Sequence, residues 1–365
     1  MATLVRRRSA WKRAQRALAR VAGDRRIVAG VAATVGAAVA ARVTRELVTH
    51  DAASDNEPTP SRAYRIKRGE KPAKAVARIA RGRLDDALEQ LWSGFDKDVG
   101  AAVHETRKDL KKTRAVLRLV RGRIGKDTYR RENARFRDAG RTLAGSREAE
   151  AKIETLDALA ERFADRLPEG FEALRGGLEE ERDALVSSRS DDSGTRLLAA
   201  QAAGEIAAGR AAVDDWSSKK SGWKYLAPGL KRSYKRGRDR FSDALQDPNP
   251  ENVHEWRKRV KDLWYHLRLL RDSWPEVLGA VSDQAHELSD LLGDHHDLSV
   301  LVADLQNRPE LAGGTRESAA IVGLIEVRQE ELLEAAIPIG ERLYADPPKA
   351  FVERLGAYWR AWRPD

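Results

Sequence analysis

One stretch of this chain occurs twice. Residues 103–121 read VHETRKDLKKTRAVLRLVR and residues 253–271 read VHEWRKRVKDLWYHLRLLR, identical at ten of nineteen positions. A second element repeats with nearly the same spacing. Lys74, Arg78 and Arg81 fall on Lys231, Lys235 and Arg238, and Asp86-Ala87-Leu88 falls on Asp243-Ala244-Leu245. A weaker third match sets LAGSRE (143–148) against LGDHHD (292–297). Three elements in one order imply two homologous halves, at about 64–215 and 220–362.

Both halves read as helix. Long 3.6-period patterns follow one another from about Tyr64, and runs of β-branched residues with period-two alternation are absent. Gly125, Pro168, Pro228, Pro248, Pro250, Pro275 and Pro347 are expected to mark helix ends. Zero cysteines exclude a disulfide scaffold, a thiolate metal site and a cysteine nucleophile. The fold class is all-α.

The repeated helix has two faces. Val103, Thr106, Leu110, Thr113, Leu117 and Val120 form one apolar seam, matched by Val253, Trp256, Val260, Leu263, Leu267 and Leu270. These seams are core. A separate stripe holds His104, Arg107, Lys108, Lys111, Arg114, Arg118 and Arg121. Its counterpart holds His254, Arg257, Lys258, Lys261, Arg268 and Arg271, with Trp264 in place of Arg114.

Cations three or four residues apart on a helix stand roughly 5 Å apart along its axis. No acidic side chain relieves the centre of either stripe in the sequence, and such a row of like charges is unfavourable unless an anion lies along it. The repeated ladder therefore points to a linear polyanion. Lys74, Arg78 and Arg81, and Lys231, Tyr234, Lys235 and Arg238, add two more stripes at helical spacing. His104 and His254, near the helix starts, are expected to face phosphate, with protonation strengthening the contact at low pH.

The charge balance narrows the argument. The chain has 67 Lys+Arg and 57 Asp+Glu, a net charge of +10. Residues 1–50 hold eleven Lys/Arg against Asp24 and Glu46, so the tail carries +9 and leaves +1 for 51–365. Any anion surface in the body must arise by segregation of charge. Within the tail, the apolar run Ile27–Ala41 is 15 residues long and nine are Ala or Gly. A spanning helix needs roughly 20 apolar residues, so no transmembrane segment is expected. The tail reads as a basic arm for a polyanion, a granule or an anionic surface, joined by a polar linker at 51–61.

At these residues the chain resembles the CHAD family, the conserved histidine α-helical domain. The likeness covers about 62–362, from YRIKRGEKPAKAVARIARGRLDDAL through both VHExRK helices, LKRSYKRGRDRF and LGDHHDL to FVERLGAYWRAWR. It implies two four-helix-bundle halves related by a pseudo-twofold, with basic faces lining a central groove or pore. It also implies binding of inorganic polyphosphate and, for some members, residence on polyphosphate granules in the cytoplasm. Carried over by residue, the family's His-x-x-Arg-Lys stripe lands on His104, Arg107, Lys108 and Lys111, and on His254, Arg257, Lys258 and Lys261. The family's Tyr/Arg helix lands on Tyr234 and Arg238. Where members often carry Arg-Asp, this chain has Arg147-Glu148 in one half and His295-His296-Asp297 in the other. The triphosphatase-type domain that many members carry is not expected here, which favours a stand-alone binder.

Other functions are weaker on the residues. HETR and HEWR put Arg where a zinc peptidase motif needs its second His. His295, His296 and Asp297 could seed a metal phosphohydrolase only if further ligands, such as His286, converged on them; a turn capped by Asp297 is the plainer expectation. No G-x-x-x-x-G-K-[ST] loop is present. Nonspecific nucleic-acid binding through the arm is the main competitor. The body, however, has no evident stacking platform, and Trp256, Trp264, Tyr265 and Tyr234 read as core or groove wall. The expected function is non-catalytic polyphosphate binding, with no cofactor or metal.

Overall fold

The computed structural model describes residues 62–363 apart from 96, 144–145, 189–191 and 217–220. The expected arm and linker lie outside the described residues, and so does the run Ile27–Ala41. Among the described residues there are eleven α-helices and no strand. They are α1 (Pro72–Glu89), α2 (Val99–Val120), α3 (Lys126–Thr142), α4 (Ser146–Phe163), α5 (Phe171–Ser188) and α6 (Asp192–Ala211). There follow α7 (Trp223–Gln246), α8 (Pro250–Leu270), α9 (Pro275–Asn307), α10 (Thr315–Leu343) and α11 (Pro348–Trp362). No described helix is long and apolar enough to cross a membrane.

The two repeated helices start alike. Asp98 accepts a hydrogen bond from the Ala101 N–H at 2.9 Å, and Asn249 accepts one from the Asn252 N–H at 2.8 Å. Each cap satisfies one of the donors that a helix start leaves open. Pro250 then opens α8 where a missing N–H does no harm. Both predicted seams are inside: Thr106, Leu110, Thr113, Leu117 and Val120 are buried, as are all six of the second copy. Each fully buried Leu contributes about 2 kcal/mol.

These seams join one continuous core. Helix α2 packs on α1 and α3 but also on α7 and α8, so the two copies of the repeated helix meet. At their crossing the buried His266 donates from Nε2 to the Ala115 carbonyl at 2.8 Å. Burial also lowers the His266 pKa, so its neutral ring fits this role. Close by, α7 approaches α2 at Gly229. A Cβ there would stand 1.6 Å from the Leu119 carbonyl oxygen, so the contact exists only without a side chain.

Two helix-end expectations need correction. Pro228 lies inside α7 rather than at its edge. A proline there removes the bond to the carbonyl four residues back. Arg123 compensates by donating to the Lys224 carbonyl and, at 3.4 Å, to the Tyr225 carbonyl. The LGDHHD segment is likewise not a turn. Residues 292–297 lie in mid-helix within the 33-residue α9, whereas the last three residues of LAGSRE open α4. Asp297 therefore caps nothing.

Candidate polyanion-binding site

The stripe residues of α2 and α8 converge beside the crossing. Lys111 lies among Lys261, Arg107 and Arg257, with Asp297 of α9 the acidic group in range. Solvent reaches Lys111, yet crowding strips part of its hydration, and Lys261, Arg107 and Arg257 add their repulsion. Together they push its ammonium down to about 7. Four cations from two helices are thus gathered here, with Asp297 the carboxylate that acts on Lys111.

On the second copy, α9 completes the surface. His296 lies against His254 with ring centroids 3.9 Å apart. A Cβ on Gly293 would stand 3.0 Å from Arg257 Nη2, so this glycine gives the guanidinium room along α9. Burial, then His296, Lys258 and Arg257, bring the His254 pKa down to about 4; burial and Arg257 also lower that of His296. Both rings are therefore neutral near pH 7, each able to donate one N–H to an oxyanion. His296 was not among the predicted binding residues. The sequence marked it through the weak third repeat and the His295-His296-Asp297 triplet, neither of which pointed to an anion contact.

The buried His295 behaves differently from its neighbour. Its pKa is pushed to about 4 by burial, and its carbonyl accepts from Ser299 at 2.9 Å and Gln329 at 3.1 Å. His286 does not reach this pair. It stands about ten residues up the same helix, edge-on to Trp264, with Nδ1 2.5 Å from Asp290. Among the described residues no three His, Asp or Glu are grouped to hold a metal ion.

Several stripe residues have partners that the sequence did not reveal. The stripes are relieved by acids after all. Arg118 donates to Asp262 of α8 at 2.9 Å, and Arg259 pairs with the other Asp262 oxygen at 2.9 Å. Lys108 lies 3.4 Å from Glu105, and Lys258 pairs with Glu255. Arg114 donates to Asn133 at 3.2 Å, and its pKa falls to about 10 through burial and then Arg118. His104 is half exposed, with Glu105 at 4.0 Å. Arg268 lies over the rings of Trp264 and Tyr64, 5.2 and 5.8 Å from their centroids.

The stripes of α1 and α7 fare worse as binding surfaces. Arg78 grips Glu70 through two bonds of 2.8 Å and donates to the carbonyls of Ala63 at 2.9 Å and Arg65 at 2.7 Å. It fastens the segment before α1 and is a structural residue. Arg81 pairs with Asp214, whereas Lys74 is exposed. Tyr234 is fully buried, stacked on Phe351 at 3.9 Å, with its hydroxyl donating to the Asp346 carbonyl at 3.1 Å. It is core, not a phosphate contact. Lys231 and Arg238 are exposed, and Lys235 pairs with Asp239 at 2.7 Å. The cations that α7 turns toward α2 and α8 are instead Arg232 and Arg236.

No curated protein matches the chain. Among solved structures it is similar to PptA from Streptomyces chartreusis, with 18% identity and a TM-score of 0.53, over 76% of this chain and all of that one. That likeness concerns the fold. The family model described as the CHAD domain matches residues 75–306, which include both histidine helices and the LGDHHD segment. The chain belongs to the CHAD family.

Proposed function

We propose that this chain binds inorganic polyphosphate without chemical turnover, along the surface where α2 and α8 meet. The observation that carries this reading is the gathering of Lys111, Lys261, Arg107 and Arg257, where loss of hydration and then the neighbouring cations bring the Lys111 ammonium down to about 7. Such a cluster is unfavourable without an anion, and a bound polyphosphate would relieve it. Arg107 and Arg257 would grip phosphoryl oxygens through paired N–H donors, the lysines would act as point charges, and the neutral His254 and His296 would donate N–H bonds. A polyphosphate carries no bases, so the site needs donors and charge but no stacking faces. In this reading residues 1–50 assist by contacting a granule or another anionic surface in the cytoplasm.

A salt-titrated competition between long-chain polyphosphate and nucleic acid tests the proposal. Arg107→Ala combined with Arg257→Ala should weaken polyphosphate binding by about a hundredfold, ~1.4 kcal/mol for each arginine, with helicity unchanged. Unchanged affinity in the double variant would sink it. Binding that follows residues 1–50 and favours nucleic acid equally would instead support a nonspecific basic arm.

A further inference from the structure

Beyond Lys111 the α2 stripe runs on for two turns and ends in a pocket. Arg118 of α2 and Arg121 just past its end line it, with Arg232 and Arg236 of α7 and Arg259 of α8. Five guanidiniums surround one carboxylate, Asp262. Arg118 and Arg259 hold that carboxylate from either side, so it forms a neutralised floor. The other three have no carboxylate partner among the described residues. Arg121 rests on the Tyr129 ring at 5.1 Å. Arg232 Nη1 and Arg259 Nε are buried without a hydrogen-bond partner. An acceptor brought into the pocket would relieve such donors.

We infer that this arginine pocket is a second anion site, distinct from the ladder, that receives a single terminal phosphoryl group. The chemistry selects the class. An internal phosphoryl unit carries one negative charge and two free oxygens, while a terminal one has three free oxygens and approaches two charges near pH 7. The pocket offers an excess of four positive charges and several guanidinium forks, which suits the terminal group. The space between these side chains is about 10 Å³, room for a water, so a phosphoryl group enters only as the rim arginines move apart. Arg121 and Arg236 are exposed at its rim, and their flexible stems can draw back around a phosphoryl group. Burial and then Arg121 lower the Arg232 pKa, and burial and then Arg259 lower that of Arg236, as expected of cations awaiting an anion.

The source of the group is the end of a polyphosphate chain, which rests on the ladder reading; free orthophosphate shares the chemistry. On this assignment the protein recognises chain ends as well as internal phosphoryl units.

The test uses the full chain and a short linear polyphosphate, either native or with both ends capped as phosphoramidates. Capping leaves the internal units unchanged and removes the doubly charged ends. Capping should weaken wild-type binding by about tenfold. Arg232→Gln with Arg236→Gln should bind both forms alike, at the level of wild type with the capped chain. Arg107→Ala with Arg257→Ala should weaken both forms while keeping the ratio between them. Equal wild-type affinity for capped and native chains overturns the chain-end site, and this comparison needs no variant to fold. Loss of the ratio in the ladder variant also overturns it. If the ladder variant binds both forms as wild type does, the ladder reading fails separately. Orthophosphate that binds wild type but not the Arg232/Arg236 variant, with no effect of capping, assigns the pocket to free phosphate and overturns the chain-end source.

Discussion

The two ends of the α2/α8 crossing start from the same repeated sequence and finish differently. At one end Arg118 of α2 meets Asp262 and Arg259 of α8, and the space beyond is an open pocket of arginines. At the other end Arg268 of α8 lies near Lys112 of α2 and faces the ring of Tyr64. The signs are exchanged: the first copy has Asp109 where the second has Arg259, and Lys112 where the second has Asp262. The Lys112 end is also filled. The segment before α1 crosses it, with the Ile66 N–H donating to the Leu269 carbonyl at 3.1 Å and Tyr64 to the Lys112 carbonyl at 3.3 Å. Arg83 joins Lys112 around Asp109, and Asp86 answers Arg83, so charge is nearly balanced there. The repeated sequence supplies a matching helix on each side of the crossing. One end was closed with an aromatic plug and the other was left cationic.

Removing the plug should have the largest effect. Tyr64 is buried between Lys112, Tyr265 and Arg268, so Tyr64→Ala should lower stability by about 4 kcal/mol, read from denaturant unfolding. It should also expose Arg268 and give the closed end a new affinity for short polyphosphates. A Tyr64→Ala protein as stable as wild type would show that the segment is no plug.

Next comes the floor of the open end. Asp262→Asn removes the only carboxylate among five arginines and should destabilise the free protein by about 3 kcal/mol. Phosphate should restore more melting temperature to this variant than to wild type, since it replaces the missing charge. Equal gains would place the pocket outside anion binding.

The shared ladder between the two ends should respond to pH. Lys111 titrates near 7 in the free protein, and a bound polyanion would raise that value toward its ordinary one. Binding then takes up a proton, so affinity should fall as pH rises from about 6 to 9, by up to about tenfold. Stability without ligand should move the other way. The unfolded chain holds the Lys111 proton up to its ordinary value of 10.5, so unfolding takes up protons above about 7 and stability from this group rises with pH. Lys111→Arg should flatten the pH dependence of binding; a profile identical to wild type would exclude Lys111 as its source.

The smallest effect is expected away from both ends. Lys235 pairs with Asp239 on an exposed face of α7, and Lys235→Ala should change stability by about 0.5 kcal/mol or less and short-chain affinity by less than about twofold. A large loss of affinity would return the α7 lysine stripe to the binding surface.

Much of the ladder was legible because helical periodicity and duplication are local properties. The seam from Thr106 to Val120 and its copy are buried as their spacing requires. His104, Arg107, Lys108 and Lys111 share a face for the same reason. The pocket was hidden for the converse reason. Arg232 and Arg236 align with Ala75 and Ile79 in the first half, so a search for repeated cations passes over them. It selects Lys231, Lys235 and Arg238, one residue away. Tyr234 followed that stripe in sequence, but Phe351 and Asp346 of the C-terminal region hold it in the core. Asp262 was legible as an acid on α8, but not as the partner of Arg118, which is 144 residues distant.

The sequence by itself determined the helices, their duplication and the cationic stripe of each copy, because 3.6-residue periodicity acts within a single segment. Tertiary structure decided which α7 cations face the crossing. The stripes through Lys231 and Arg232 are only about 100° apart on one helix. The choice between them falls to the backbone contact at Gly229, where α7 meets Leu119 and turns Arg232, Ser233 and Arg236 toward α2 and α8. It decided equally that Tyr64 closes one end, since that contact depends on where a segment outside the repeated helices crosses α8.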